Sequence, residues 1–251
     1  MKEIITIINQ KGGVGKSTTA QNIGAGLKLL HRKKVLFIDL DAQGNLSYSL
    51  GAKKHQNSFD VITGNCTAKE AIQELPQGDL ITSDAKLSYI ETYLKDTGKE
   101  FKLKEALTPI KDFYDYIIID TPPSLGVLSV NALTASNRVI IPSQADIFSL
   151  QGIGQLANTI DAVKKYCNPD IEIKGLVLTR YNARSVLSRD LANMLDATAK
   201  QLKTKLFKTS IREGIAIKEA QANRENLFVY APKSNPAIDY KNLIKEVLKN
   251  E

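Results

Sequence analysis

The chain has 251 residues, of which 43% are hydrophobic and 24% charged, and it contains 15 Gly and 8 Pro. This composition indicates a globular protein and excludes collagen-like, disordered and disulfide-stapled chains. No stretch approaches the roughly 18 consecutive apolar residues of a membrane span. Met1-Lys2-Glu3 leads into a short apolar run without a cleavage site, so we expect a cytoplasmic protein.

The net charge of +7 is unevenly distributed along the chain. Residues 1–159 contain 17 Lys and Arg against 16 Asp and Glu, whereas residues 160–251 contain 17 against 11. A basic C-terminal third suits a polyanion, either nucleic acid or an anionic membrane surface, although a lysine-rich solvated surface explains it equally well. Cys66 and Cys167 form no CxxC pair and there are only two histidines, so a metal cluster has little support.

Short β-branched runs alternate with longer segments of helical periodicity. The predicted strands are Ile4–Asn9, Val35–Asp39, Asp79–Thr82, Tyr116–Asp120, Arg138–Pro142 and Ile173–Thr179. The predicted helices include Lys16–Leu30, Phe101–Phe113, Gln151–Tyr166, Leu187–Lys203 and Ile238–Leu248. Several strands are apolar throughout, as expected when both faces are covered. We predict a single α/β domain over residues 1–251, with a mostly parallel twisted sheet, helices on both faces and ligands at the carboxyl ends of the strands.

The first predicted strand runs into a glycine-rich loop, Asn9-Gln10-Lys11-Gly12-Gly13-Val14-Gly15-Lys16-Ser17-Thr18. Glycines let such a loop wrap so that backbone N–H groups point at phosphate oxygens, and the following helix adds its positive N-terminal end. We expect Lys16 to reach the β- and γ-phosphates and the Ser17 hydroxyl to ligate Mg²⁺. Gln10 replaces the first glycine of the usual phosphate-loop pattern, and Lys11 adds a second lysine. A turn without a ligand would not explain Gly-Lys-Ser in this register. The predicted nucleotide-binding residues are Lys11, Gly12, Gly13, Val14, Gly15, Lys16, Ser17 and Thr18.

Two further predicted strands end in carboxylates. Asp120 closes an apolar strand and is suited to hold Mg²⁺ directly or through water, as Walker-B carboxylates do, with a helix N-cap as the ordinary alternative. The strand that ends at Asp39 continues into Leu40-Asp41-Ala42-Gln43-Gly44-Asn45. Asp41 is the better candidate to accept a hydrogen bond from an attacking water, and Asp39 to support the Mg²⁺ site. Turn chemistry alone also explains residues 41–45.

Together these segments resemble the ParA/MinD ATPases. Residues 9–18 are similar to the deviant Walker A motif of that family, residues 37–45 to its switch I, and Ile119-Asp120-Thr121-Pro122-Pro123-Ser124 to its Walker B and switch II. The resemblance covers nearly the whole chain, because it continues through Asn131–Ala135, Pro142–Gln151 and Thr179–Arg184. It is closest to the short, Soj-like ParA partition proteins. Met1 lies three residues before the first predicted strand, so we expect no N-terminal helix-turn-helix.

The resemblance implies a phosphate-loop NTPase that uses ATP and Mg²⁺. In the family, ATP closes two protomers face to face, and the signature lysine, here Lys11, reaches the phosphates of the partner. The implied catalytic residues are Lys11 and Lys16, which neutralise developing charge, and Asp41, which positions the water. The ATP-bound homodimer binds double-stranded DNA without sequence preference and so joins the nucleoid. A ParB-type centromere-binding protein then stimulates ATP hydrolysis and releases the DNA.

The resemblance also implies a basic DNA-binding surface. Arg184 matches one arginine of the family, whereas a second, expected shortly before Glu219, falls on Ala216. Arg212 and Lys218 are nearby candidates to take its place. Further basic residues that add to the predicted patch are Lys208, Arg224, Lys241 and Lys245.

Three alternatives stay open. A MinD-like membrane ATPase would dock an amphipathic C-terminal helix on anionic lipid; Ile238–Leu248 has an apolar stripe, but such a stripe more often packs on its own core. We therefore expect no stable membrane association. A reductase like the nitrogenase iron protein needs paired cysteines, which this chain lacks. A scaffold that binds nucleotide without turnover would not need Asp41.

Overall fold

A six-stranded parallel sheet forms the centre of the computed structural model, which describes residues 2–53 and 55–249, apart from the side chain of Phe148. Its spatial order is β3-β2-β4-β1-β5-β6, and every pairing among the described strands is parallel. The strands are β1 (Glu3–Ile7), β2 (Val35–Asp39), β3 (Asp79–Ile81), β4 (Tyr116–Asp120), β5 (Arg138–Ser143) and β6 (Glu172–Leu178). All residues of β2 and β4 are buried, which explains their unbroken apolar sequences.

The chain order of the strands opens a crevice at their carboxyl ends. Strands β1 and β4 are neighbours, but β1 is followed by β2 on one side of the sheet and β4 by β5 on the other. Such a reversal leaves room between two connections that diverge, and ligands of open parallel sheets collect there. The glycine-rich loop follows β1 at this point. In addition, the register pairs Asp39 with Asp120, so two carboxylates end adjacent strands at the same edge.

Twelve α-helices lie within the described residues. They are α1 (Lys16–His31), α2 (Asn45–Ser49), α3 (Ser58–Thr63), α4 (Ala68–Ala71), α5 (Ile90–Tyr93), α6 (Lys102–Leu107), α7 (Val127–Ala135), α8 (Ile147–Tyr166), α9 (Val186–Gln201), α10 (Ile215–Ala222), α11 (Leu227–Tyr230) and α12 (Asn235–Leu248). Short 3₁₀ turns cover Ala85–Tyr89, Lys99–Phe101 and Lys111–Phe113.

The helices cover both faces of the sheet. On β4, Ile118 belongs to the core shared with α1 and α12, whereas Ile117 and Ile119 belong to the core shared with α6 and α7. Adjacent strand residues point to opposite faces, so one strand contributes to both cores. The predicted single-domain α/β fold is therefore confirmed.

Helix α12 buries its apolar stripe within the protein. Tyr240, Leu243, Ile244 and Val247 are 1% exposed or less. The helix packs against α1 so closely that a Cβ atom at Gly26 would lie 2.2 Å from Ile244 Cδ1. The stripe that a lipid-docking helix would present is thus part of the core. No described helix is both long and apolar enough to cross a bilayer.

All six predicted strands are present, but the helices differ in detail. Helix α8 begins at Ile147, before the predicted start at Gln151, because Asp146 caps it by accepting a hydrogen bond from the Ser149 backbone N–H at 2.9 Å. The segment predicted as one helix over Phe101–Phe113 is broken, with α6 ending at Leu107 and a 3₁₀ turn from Lys111. Helix α7 was not predicted, since it is buried nearly all round and shows no polar face.

Candidate nucleotide site and basic groove

Neighbouring residues hold the glycine-rich loop in a conformation that requires glycine. Gly13 and Gly15 have φ values of +75° and +87°, in the left-handed region that costs other residues about 1–2 kcal/mol. The Thr179 hydroxyl donates to the carbonyl of Val14 at 2.8 Å, and Gln144 Nε2 donates to the carbonyl of Gly13 at 3.2 Å. Because these two carbonyls are hydrogen-bonded to neighbouring residues, the backbone N–H groups of the loop remain available to bind a ligand. Helix α1 begins at Lys16 directly after the loop, with its positive end at the same place.

Lys16 lies beneath this loop and is only 7% exposed. Its Nζ donates to the carbonyl of Lys11 at 3.1 Å, which holds the side chain back across the loop. Burial lowers the pKa of Lys16, and the nearby carboxylates of Asp120 and Asp41 oppose this shift. An ammonium with so little hydration is ready to bind an anion, as the sequence predicts for the phosphates.

Asp120 fits a bound cation. It is fully buried, and neither carboxylate oxygen accepts a geometrically good hydrogen bond from any described residue. Burial and then Asp39 raise its pKa well above the ordinary range, while the Ser17 hydroxyl and the Lys16 ammonium only partly oppose them. A buried carboxylate without partners needs a compensating charge. The adjacent Ser17 hydroxyl supplies a second oxygen of the kind Mg²⁺ prefers. The N-cap alternative is wrong, because the next helix, α7, begins only at Val127 with Gly126 as its cap.

Asp39 is engaged by its own segment of the chain. Its Oδ1 accepts a hydrogen bond from the Asp41 backbone N–H at 3.1 Å. Its Oδ2 accepts from the Ser47 N–H at 2.8 Å and from the Ser47 hydroxyl at 2.7 Å. Burial, the largest influence, raises the pKa of Asp39 to about 6 despite these bonds. Asp39 is therefore better placed to hold the backbone of residues 39–47 around the metal site than to coordinate a metal ion directly.

Asp41 faces the cavity beside the loop. Its Oδ1 accepts from the Gln43 backbone N–H at 3.0 Å, and its carbonyl accepts a short hydrogen bond from the Ser83 hydroxyl. The cavity, of about 520 Å³, is lined by Asp41 and by Gly12, Gly13, Gly15, Lys16, Ser17 and Thr18. The structure therefore brings the predicted water-positioning carboxylate to the predicted phosphate site. Val14 is fully buried, so it offers a ligand only its backbone.

Lys11 forms an ion pair within the same chain. Its Nζ lies 2.7 Å from Asp146 Oδ2, and each side chain is about one-third exposed. Burial alone would raise the pKa of Asp146, but hydrogen bonds from Lys11 and Ser149 outweigh it and lower that pKa. The lysine predicted to act on a partner is thus held at the surface of its own loop.

A second, small cavity adjoins the loop, and a polar groove lies beyond it. The small cavity, of about 80 Å³, is lined by Gly15, Thr18, Ile217, Lys218 and Gln221, among others. The groove encloses about 760 Å³ and is lined mainly by Arg180, Asn182, Arg184, Ser210, Arg212, Glu213, Asn235, Asp239 and Asn242. A cavity of about 830 Å³ lies at the opposite edge, by Glu3 and Arg138 at the amino ends of β1 and β5, and holds none of the predicted site residues.

The predicted DNA-binding residues differ in how available their charges are. Arg184 is exposed and lines the groove. Arg212 also lines it, but its Nε and Nη2 bind the two oxygens of Asp239 at 2.9 and 2.6 Å. Lys218 is exposed at the small cavity, and Ala216 packs against the core. Arg212 is therefore a weaker substitute for the family arginine than its position in the sequence indicates.

Comparisons with known proteins agree with this geometry. A family profile described as AAA domain, AAA_31, matches residues 2–173. The sporulation initiation inhibitor protein Soj of Bacillus subtilis is 40% identical over all of both chains. The chromosome partitioning protein ParA of Caulobacter vibrioides is 38% identical over 99% of this chain and 94% of its own length. The chain belongs to the ParA/MinD family. The resemblance to this family that was inferred from the three sequence motifs is confirmed.

Two solved structures that are similar to this chain contain a bound nucleotide. Cobyrinic acid a,c-diamide synthase of Mycobacterium smegmatis, with bound ADP and magnesium, is 33% identical over 99% of this chain and 94% of its own, with a TM-score of 0.85. A putative plasmid partition protein of Borrelia burgdorferi, bound to AMPPNP, is 27% identical over 99% of both chains, with a TM-score of 0.84. These ligands agree with the predicted cofactors, ATP and Mg²⁺.

Sequence reasoning within the ParA/MinD framework missed three contributors to the site. Thr179 and Gln144 hold the loop, and Arg180 lines the loop cavity and the groove together. Gln144 and Thr179 directly follow β5 and β6 at the carboxyl edge, and Arg180 comes next after Thr179. Their place at or just after the carboxyl end of a predicted parallel strand was the signal that would have found them.

Proposed function

We propose that the chain is an ATP-dependent DNA partition ATPase. One observation carries this proposal: the glycine-rich loop, a buried carboxylate at Asp120 without a good hydrogen bond and the carboxylate of Asp41 meet at one edge of the sheet, beside a groove that contains Arg184. The names of the relatives, Soj and ParA, support the same conclusion.

The residues of the loop suit the binding and polarisation of a triphosphate. The backbone N–H groups of residues 12–17 and the Lys16 ammonium bind the phosphates. Mg²⁺, when bound, neutralises charge on the β- and γ-phosphates. Ser17 and Asp120 are the residues that would hold it, and Asp39 keeps residues 39–47 in place around them. Catalysis then depends on positioning and on fixed charges rather than on covalent chemistry.

Asp41 and Lys11 act on the γ-phosphate end of the site. The Asp41 carboxylate accepts a hydrogen bond from the attacking water and orients it. Lys11 leaves Asp146 and reaches the phosphates of a second copy of the chain, so hydrolysis depends on a closed homodimer. A lysine supplied in trans resembles in this respect the trans arginine finger of other phosphate-loop enzymes.

The closed dimer binds double-stranded DNA without sequence preference through the groove on each protomer. A ParB-type centromere-binding protein stimulates hydrolysis and releases the DNA. The protein is cytoplasmic and joins the nucleoid while ATP is bound. The chain acts as one ATPase domain, and no stable membrane association is expected, because the stripe on α12 is buried.

The experiment that tests this proposal measures binding to random-sequence duplex DNA without nucleotide, with ADP and with ATP–Mg²⁺. Asp41→Ala is run alongside to accumulate the ATP state. Tight binding only with ATP, lost at high salt, is the expected result. An ATP-dependent dimer that binds no DNA in any state would favour the MinD-like alternative, a positioning ATPase with a membrane or protein partner.

A further inference from the structure

Arg180 lies where three cavities meet. It lines the 520 Å³ cavity beside the phosphate loop, the 80 Å³ cavity next to it and the 760 Å³ groove that contains Arg184. Among the described residues that line these spaces, only Arg180 is common to all three. Its side chain therefore stands between the nucleotide site and the surface proposed for DNA.

The backbone around Arg180 fixes it in an uncommon conformation. Its φ is +50°, in the left-handed region that residues other than glycine rarely adopt. Thr179 on one side is tied to the phosphate loop, and the Tyr181 N–H on the other donates to the carbonyl of Ile211 at 3.0 Å. Both flanks are thus fixed. Conformations of this kind persist where the surroundings impose them, and they concentrate at functional sites.

The guanidinium of Arg180 is exposed and makes no hydrogen bond or ion pair with any residue that the structure describes. Arg212, on the same groove, already has Asp239 as a bidentate partner. Apart from the arginines and Asp239, the groove is lined mainly by neutral polar groups, including Asn182, Ser210 and Asn242, together with one further carboxylate, Glu213. A planar guanidinium with open donors, on a groove where most of the other polar side chains are neutral, suits a phosphate group.

We propose that Arg180 is a phosphate-contacting residue of the groove that binds the DNA backbone together with Arg184. This inference rests on the proposed function. Arg180 also borders the nucleotide cavity, and it directly follows Thr179, which is hydrogen-bonded to the phosphate loop. The proposed DNA contact therefore lies next to the nucleotide site. Phosphate occurs in both ligands, so the test must separate DNA from ATP.

The test compares three variants with the wild-type chain, using random-sequence duplex DNA, a non-hydrolysable ATP analogue and Mg²⁺. Arg180→Asn removes the charge and keeps a residue that tolerates the left-handed conformation. Arg180→Lys keeps the charge but loses the planar fork. Arg32→Asn is the matched control, since Arg32 is also an exposed arginine with a positive φ, of +55°, but caps the far end of α1.

We expect Arg180→Asn to weaken DNA binding at least about tenfold, since a charge-assisted contact is lost on each protomer of the dimer. The slope of log K against log salt should shrink by about 0.9 for each lost contact. Arg180→Lys should weaken binding less and keep the slope, and Arg32→Asn should match the wild type. Binding of the analogue without DNA should change far less than DNA binding.

Each other result overturns the inference. If the wild type binds DNA and Arg180→Asn binds it as tightly as Arg32→Asn, Arg180 is not a DNA contact, although the proposed function stands. If Arg180→Asn loses analogue binding without DNA to the same degree, the arginine serves the nucleotide. If the wild type binds no DNA in any nucleotide state, both proposals fall. If Arg180→Asn is too unstable to measure, Arg180→Lys replaces it in the test. A DNA affinity of Arg180→Lys equal to that of the wild type would then contradict the inference, which predicts weaker binding without the planar guanidinium.

Discussion

Lys11 Nζ lies 2.7 Å from Asp146 Oδ2, across 135 residues of sequence and within one protomer. Asp146 also caps helix α8 through Ser149, so the carboxylate is held in place on both sides. In the proposed mechanism Lys11 must leave this partner before it reaches the phosphates of a second chain. On this mechanism we expect the ion pair to oppose ATP-dependent closure and to stabilise the open protomer.

Asp146→Asn should strengthen dimerisation in ATP–Mg²⁺. The variant removes the charge and keeps an oxygen that can cap α8. Each of the two ion pairs that closure breaks, one on each protomer, contributes up to about 1 kcal/mol, so the dimer dissociation constant should fall by up to about 30-fold. Analytical ultracentrifugation measures it. Asp112→Asn is the control, because Asp112 pairs with Lys2 at an exposed site outside the nucleotide cavity. Weaker dimerisation in Asp146→Asn would show that Asp146 helps closure.

Lys16→Ala should abolish ATP binding without unfolding the protein. Lys16 is nearly buried and its pKa is lowered by that burial, so the fold gains little from its charge. Two charge-assisted contacts to phosphate are worth about 3–6 kcal/mol, which corresponds to a loss of at least about 100-fold in ATP affinity.

Isothermal titration calorimetry measures this affinity, and thermal unfolding checks the fold. Lys28→Ala is the matched control, because Lys28 lies on the same helix and also donates to a backbone carbonyl, that of Leu75 at 3.4 Å. ATP affinity near the wild-type value in Lys16→Ala would contradict the assignment of the phosphate loop.

Asp41→Ala and Asp39→Ala should fail in different ways. Asp41→Ala should still bind ATP while turnover falls by about 10²–10³, the usual cost of a lost positioning group. Asp39→Ala leaves the buried N–H groups of Asp41 and Ser47 without their acceptor and should lower the free energy of unfolding by about 2–4 kcal/mol.

Turnover of the two variants is measured by phosphate release, and stability by urea denaturation. Normal turnover in Asp41→Ala would remove this residue from catalysis and favour the scaffold alternative. Wild-type stability in Asp39→Ala would show that its hydrogen bonds do not hold residues 39–47.

The parts of the fold that sequence predicts well are those fixed by local pattern. Strands such as Tyr116–Asp120 are short, apolar and β-branched because both of their faces are covered, and the glycine-rich loop carries its own conformational signature. The same burial on all sides that makes the strands easy to predict prevented the prediction of helix α7. Burial on all sides erases the polar face by which a helix is recognised.

What sequence could not predict is the pairing of charges across the fold. Arg212 and Asp239 are 27 residues apart, and only the packing of α12 beside the segment between α9 and α10 brings them together. In the sequence, Arg212 therefore looked like a free cation. Whether a charged side chain is available to bind a ligand depends on its neighbours in space. The spacing of residues along the chain does not reveal those neighbours.

The apolar stripe on α12 provides a stability prediction and a test of the membrane alternative. Ile244→Ala should lower the free energy of unfolding by about 2–5 kcal/mol, because the side chain is fully buried against α1. Ile238→Ala, on an exposed position of the same helix, should change it by no more than about 0.5 kcal/mol. Wild-type protein with ATP should not float with anionic liposomes, and ATP-dependent flotation would revive the MinD-like alternative.

Arg184 and Arg212 should separate DNA binding from stability. Arg184→Ala should weaken binding to random-sequence DNA in ATP–Mg²⁺ and reduce the salt slope by about 0.9 for each lost contact, with unchanged thermal unfolding. Arg212→Ala should leave the slope nearly unchanged but lower the unfolding temperature, since it strips Asp239, whose side chain is only 9% exposed, of its bidentate partner. Adding Asp239→Asn to Arg212→Ala should recover part of that stability, because it removes the uncompensated charge. A salt slope that falls as far in Arg212→Ala as in Arg184→Ala would show that Asp239 releases Arg212 to the DNA.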